Sequence, residues 1–258
     1  MHILFIGYGK TSQRVAKQLF EQGHQITTIS QSPKTDVWAQ HLIQDVHQLN
    51  LSQIPPVDAV YILLSPNVGT IDAYQQTYVD SIRPIVQALK NHPLQKVIVV
   101  PSTRVYGENN GERIDDETAP NPSDEQGKLL FKMEQLWQQA YSEHCIIIRP
   151  TGIYGTSNAR MLKLAETTQS YPNIHWSNRI HIEDLARFLA YMIHVEHPEK
   201  SYICTNNQPQ ALHERILELQ KALNLPELVL ESERETGKRI YAERMVASGF
   251  ELKYEGDV

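Results

Sequence analysis

Directly after an apolar run from His2 to Ile6 the chain passes through Gly7-Tyr8-Gly9-Lys10-Thr11-Ser12. It then enters a helical pattern in which Val15, Ala16, Leu19 and Phe20 share one face and Gly23 is the stop signal. Few folds use a strand, a glycine turn and a helix in this immediate order. Gly7 permits the tight turn, Gly9 lets a pyrophosphate approach the backbone, and a small third residue lets the helix pack close to the strand. The helix N-terminus adds unpaired N–H groups and a dipole that favour an anion. Gly7, Tyr8, Gly9, Lys10 and Ser12 are therefore candidate dinucleotide-binding residues, with Ser12 an imperfect match where Gly or Ala is usual.

Five further β-rich runs follow, at 25–30, 41–44, 59–64, 96–101 and 145–149, mostly without polar alternation. Buried parallel strands read this way because helices cover both faces of their sheet. Helical periods lie between them. Tyr74, Tyr78, Ile82, Ile85, Val86 and Leu89 form one stripe, and Leu129, Met133, Leu136 and Ala140 another. The alternation predicts an α/β fold, a doubly wound parallel sheet of Rossmann type with right-handed crossovers. After Arg149 the pattern changes. The expected division is a dinucleotide-binding domain over 1–155 and a smaller C-terminal substrate lobe over 156–258, with elements near 178–205 returning to the main domain.

The 258 residues carry 24 Lys and Arg against 30 Asp and Glu, a net charge of −6, which argues against nucleic acid or an anionic membrane as partner. No apolar run approaches the ~20 residues needed to span a bilayer, and because the first, Ile3 to Ile6, begins almost at Met1, no signal peptide is expected. A cytoplasmic protein is expected. Cys145 and Cys204 sit in apolar runs and read as buried strand thiols, in keeping with a reducing compartment.

The end of the second strand is where an acid holds the ribose 2′-hydroxyl of NAD. Here stand Ser30, Gln31, Ser32, Pro33 and Lys34, with no carboxylate before Asp36. Without that acid a 2′-phosphate is not repelled, and Lys34 offers a cation. NADP is the expected cofactor, with NAD the alternative.

Four further blocks carry a family resemblance. They are Ser102-Thr103-Arg104-Val105-Tyr106-Gly107, the acidic turn Asp115-Asp116-Glu117-Thr118-Ala119-Pro120, Arg149-Pro150-Thr151-Gly152-Ile153-Tyr154-Gly155, and Asn178-Arg179-Ile180-His181-Ile182-Glu183-Asp184-Leu185-Ala186. With the glycine turn, and in this order, they resemble the extended and atypical short-chain dehydrogenase/reductases of the NAD-dependent epimerase/dehydratase-like branch. The resemblance implies that Asp45 contacts adenine and that Leu64, Ser65 and Pro150 lie along the cofactor. It implies that Ser102 orients the substrate, with Thr103 beside it, and that the helices near 70–90 and 122–141 pair with a second copy in a homodimer. Trp137 and Tyr141 would supply an extra apolar face for that pairing. Ser102 also reads as a simple cap at a strand end, and His181 as a satisfied core histidine.

The resemblance breaks at the acid/base. The family uses Tyr-x-x-x-Lys, the lysine bringing a phenol of pKa ~10 into useful range. None of the 12 tyrosines here has Lys four positions on. Matching Glu134 to the family's helix puts Gln126 at the Tyr position and Leu130 at the Lys position, both facing the nicotinamide ribose. Two functions remain open. One is an NAD(P)-binding oxidoreductase or epimerase-like enzyme with a non-standard site, using Ser102, Tyr106 or a small-lobe residue on an unidentified small polar metabolite. The other is a non-catalytic NAD(P)-binding sensor or scaffold. His194-Val195-Glu196-His197 has metal-like spacing but no further ligand in view, so no metal is expected.

Overall fold

A computed structural model describes residues 1–254. The N-terminal part lays down β1 (His2–Ile6), α1 (Lys10–Glu21), β2 (Gln25–Ser30), β3 (Gln40–Ile43) and β4 (Ala59–Ile62). A helical stretch follows as α2 (Ile71–Tyr74), a π-helical segment over Gln75–Asp80, and α3 (Ile82–Leu89). Then come β5 (Lys96–Val99), β6 (Glu112–Ile114), α4 (Glu125–Ala140), β7 (Cys145–Pro150) and β8 (Gly152–Tyr154). The remainder comprises α5 (Ala159–Thr167), β9 (Ser170–Tyr171), β10 (Ile174–Ser177), β11 (Arg179–His181) and α6 (Ile182–Tyr191). It continues through β12 (Ser201–Cys204), β13 (Gln210–Ala211), α7 (Leu212–Ala222), β14 (Val229–Leu230), β15 (Glu235–Ile240) and α8 (Glu243–Ala247).

Seven strands form one parallel sheet in the order β12-β7-β5-β4-β1-β2-β3. The order reverses beside β1, which is where a doubly wound sheet opens a crevice at its strand ends. β1 and β4 are buried along their whole length, as their unbroken apolar runs predict. β12 joins β7 with Ser201 opposite Ile147, and α6 packs on α1, where Arg14 Nε donates to Glu183 Oε1 at 2.6 Å. A second sheet, β13-β10-β15-β6, draws β6 from the first half of the chain and its other strands from the last third. β15 runs parallel to both β10 and β6.

The helix predicted across 74–89 is one stretch with a wide turn inside it. Pro84 has no N–H to give the carbonyl of Asp80, so the α-helical ladder is lost there. Ser81 Oγ donates to the carbonyl of Thr77 at 2.6 Å and steadies the widened turn. Trp137 departs from expectation. It is 1% exposed and stacks on Tyr141, so the extra apolar face expected to motivate a dimer is core of the same chain.

An ion pair lies inside this core. Arg149 on β7 donates to Glu134 on α4 through Nε at 2.9 Å and Nη2 at 2.7 Å, and its Nη1 donates to the Tyr106 hydroxyl at 2.8 Å. Removing one partner strands a charge without solvent, which costs roughly 3–5 kcal/mol, whereas replacing both with apolar groups is often neutral. Glu134→Gln is expected to destabilise by about 3 kcal/mol in denaturant titration, and Glu134→Leu combined with Arg149→Met by much less.

Three histidines, His24, His92 and His175, are held below the ordinary histidine range, in each case chiefly by burial. In His92 the Nδ1 accepts the N–H of Val57 at 3.2 Å and the charge of His2 adds to the effect. The unfolded chain therefore takes up protons first as pH falls through about 6.5. Stability is full above that pH and declines below it. Denaturant midpoints measured between pH 7 and pH 5 should fall, and fall less steeply in His92→Gln.

Candidate functional site

The chain leaves β1 at Gly7, whose φ of +91° suits glycine alone and where a Cβ would lie 2.2 Å from the carbonyl oxygen of Leu63. Gly9 is the N-cap of α1 at an ordinary φ of −96°, and a Cβ there would meet nothing within 4 Å. No side chain caps α1 and no acid stands in its first turn. Open space thus lies before a run of unpaired N–H groups, which suits the pyrophosphate of a dinucleotide. Ser12, the imperfect third residue, is buried and its Oγ donates to the carbonyl of Gly7 at 2.8 Å. Its hydroxyl ties helix to turn, a contact that Gly or Ala cannot make.

Gly9, Lys10 and Ser12 wall a cleft of about 300 Å³ together with Leu64, Ser65 and Pro150. Six of the expected cofactor residues are thereby brought together. Tyr8 contributes backbone to the turn, but its side chain is buried, with the hydroxyl accepting from Trp38 Nε1 at 3.3 Å. The other expected residues lie further out. Ser30 Oγ donates to the carbonyl of Ser32 at 2.9 Å. Gln31 Nε2 donates to Asp45 Oδ2 at 3.3 Å, and Asp45 caps a 3₁₀ turn by accepting the N–H of His47 at 2.8 Å.

Tyr78 also walls this cleft, from the π-helical segment, and burial pushes its phenol up to about 12, with Tyr74 adding to the shift. Sequence reading placed it only in a helical stripe. It reaches the cleft from the widened segment, and its period alone gives no sign of that.

A second cleft, of about 370 Å³, lies next along the chain from the first, with Ser102 following Pro101 and Thr151 following Pro150. Ser102 has both roles open to it. Its Oγ accepts the N–H of Arg104 at 3.2 Å, capping a 3₁₀ turn, and the residue also walls the second cleft. An accepting hydroxyl keeps its own proton to donate. Thr103 spends its hydroxyl on the carbonyl of Pro150 at 3.4 Å.

Tyr106 stands in the wall of the second cleft with little surface of its own. It is 1% exposed, its hydroxyl faces Arg149, and burial raises its pKa further from neutrality. The bond of its phenol to a guanidinium together with the raised pKa weighs against the acid/base role expected of it. The alignment on Glu134 is corrected too. Leu130 is 2% exposed in the core, and Gln126 Nε2 donates to the carbonyl of Gly69 at 2.5 Å, fastening the loop ahead of α2. Neither walls either cleft.

Other residues of the resemblance blocks hold elements together. Asp116 accepts the N–H of Ile203 on β12 at 2.7 Å and of Arg244 on α8 at 2.9 Å. His181 caps α6 by accepting the N–H of Glu183 at 3.2 Å. Asp184, wholly buried, accepts the N–H groups of Lys253 and Tyr254.

No family model and no curated protein matches the chain. Solved structures do. A putative NAD-dependent epimerase/dehydratase from Methylobacillus flagellatus is 29% identical, with 99% of this chain and 94% of that one covered at a TM-score of 0.80. The human epimerase family protein SDR39U1, solved with NADPH, is 16% identical over 99% of this chain and 96% of its own, with a TM-score of 0.79. UDP-glucuronic acid 4-epimerase from Bacillus cereus, solved with NAD, is 16% identical over 95% and 91%, with a TM-score of 0.77. The last two share the fold, and the first adds sequence to it. In glycine turn, strand order and ordered sequence blocks, this chain is similar to the NAD-dependent epimerase/dehydratase-like proteins among the extended and atypical short-chain dehydrogenase/reductases.

Proposed function

We propose that this protein is an NAD(P)-dependent oxidoreductase or epimerase-like enzyme of the cytoplasm, that it prefers NADP, and that its substrate is a small polar metabolite. The observation that carries this reading is that consecutive residues, Pro101 and Ser102 on one strand end and Pro150 and Thr151 on another, line two separate clefts. A phosphate cradle at Gly9 and Lys10, lined also by Leu64 and Pro150, has a polar chamber walled by Ser102 as its neighbour along the chain. A binder needs only the first of these. The nicotinamide, when bound, supplies hydride exchange. The chain's own residues hold the pyrophosphate at the N-terminus of α1, line the route with Leu64, Ser65 and Pro150, and present the Ser102 hydroxyl as a donor to substrate.

The preference for NADP rests on Ser30, Gln31 and Lys34, a stretch without a carboxylate. Asp36, the first acid beyond it, lies 3.5 Å from Gln13 Nε2. A rival reading, a non-catalytic NAD(P)-binding sensor or scaffold, is favoured by one observation. Gln126, Leu130 and Tyr106, the residues nearest in sequence to a proton relay, all have structural partners.

Calorimetric titration distinguishes the cofactors. NADPH is expected to bind more tightly than NADH, and NADH tighter by tenfold, ~1.4 kcal/mol, would overturn the preference. The cradle has its own test. A Cβ at Gly9 would meet nothing within 4 Å, so Gly9→Val should leave Tm within a degree or two while weakening NADPH at least tenfold. An unchanged affinity would remove the pyrophosphate from that turn.

A further inference from the structure

The chamber beside Ser102 is closed on its far side by the second sheet, where much chemistry stands unused. His175 and Trp176 on β10, Lys238 on β15, and Glu108 all wall it. Trp176 Nε1 and Glu108 Oε2 are buried without a hydrogen-bond partner. Native chains rarely leave buried polar atoms unpaired, so this wall of the chamber is an exception to the rule.

The state of His175 follows from its neighbours. Thr236 Oγ1 donates its single proton to Asn173 Oδ1 at 2.8 Å, so the 2.9 Å contact from that oxygen to His175 Nδ1 uses a proton on the ring. The neutral imidazole is thereby the Nδ1–H tautomer, with a bare lone pair on Nε2. That nitrogen has no hydrogen-bond partner among the described residues, and it is not one of the buried unpaired atoms. Burial and the charge of Lys238 keep the ring neutral at pH 7. A base oriented through its second nitrogen is the arrangement that activates hydroxyl groups in unrelated enzymes. Lys238 donates to the carbonyl of Tyr106 and, as an ammonium with three N–H groups, keeps donors for a ligand oxygen.

We propose that His175 is the acid/base of this chamber, that Lys238 steadies the oxygen it acts on, and that the ligand is a small secondary alcohol or the matching ketone. This rests on the reading that the adjoining cleft holds NAD(P). In the oxidative direction the alcohol O–H proton passes to His175 Nε2 while the carbinol C–H electron pair leaves as hydride for an oxidised nicotinamide, and the C=O bond forms. In reverse, His175 returns the proton to the oxygen as carbon receives hydride. Lys238 offsets negative charge on the oxygen in both directions. The second sheet thus supplies what α4 lacks.

Two measurements on the full-length chain test this. Side-chain ¹⁵N NMR should find His175 as the Nδ1–H tautomer, with its Nε2 resonance moved by the probe ketone diacetyl in the presence of NADP. An Nε2–H tautomer, or a resonance blind to the probe, would overturn the assignment. NADPH-dependent reduction of diacetyl should fall by about 10²-fold or more in kcat in His175→Ala, with NADPH affinity unchanged, and free imidazole should restore part of it. Lys238→Gln should lower kcat with the ring's tautomer retained. Loss without imidazole rescue would make His175 a structural residue, and no turnover by a wild-type protein that binds NADPH would equally sink the proposal. Failure of the wild-type protein to bind NADPH would instead bring down the cofactor reading on which it rests.

Discussion

Arg149 lies in the core with its guanidinium bonded on three sides, twice to Glu134 and once to the Tyr106 hydroxyl. The three residues belong to β7, to α4 and to the end of the 3₁₀ turn that Ser102 caps. Two of the strand ends that wall the clefts, those of β5 and β7, are therefore fixed to one helix by charge-assisted hydrogen bonds of definite direction. Apolar packing alone would hold these elements together but would leave their register softer. A buried ion pair is weak evidence of stability. Its geometry is strong evidence of position, and here what is positioned is the pair of chain segments that border first one cleft and then the other.

The same thought applies to much of what resembles a family signature. Arg149 neutralises a core carboxylate, Asp116 joins β12 to α8, and His181 begins α6. Asp184 gathers N–H groups from residues 253 and 254. These are joints. Their presence follows from the need to attach the later elements of the chain to a seven-stranded sheet, whatever chemistry the clefts support. The sequence blocks therefore weigh for the fold, and the balance between enzyme and binder shifts to the side chains that face the clefts.

How legible each feature was depends on how local its physics is. The strands of the main sheet announce themselves because both faces are buried and every position in β1 and β4 must be apolar or nearly so. The phosphate turn is legible because Gly7 and Gly9 are dictated by backbone sterics within a few residues. The burial of Trp137 and Leu130 is hidden in the sequence for the opposite reason. Whether a residue beyond the main stripe of α4 meets solvent or core is decided by α2, α3 and the strands, far away in sequence. His175 and Lys238 carry no motif at all. They meet the chamber because β10 and β15 pair in parallel from positions about 60 residues apart, with His175 opposite Thr236.

Ser12 shows how a pattern and the physics beneath it can diverge. Counted against the dinucleotide fingerprint it is a blemish, since the third small residue is usually Gly or Ala. In the folded chain its hydroxyl closes a ring from the first turn of α1 back to the carbonyl of Gly7, and the side chain is sealed from water. Ser12→Gly would improve the match on paper. It would also release that carbonyl and add backbone freedom to the helix that aims N–H groups at the cofactor cleft. In this chain the less typical letter makes the tighter hinge pin, and a redesign guided by consensus would loosen the joint it meant to perfect.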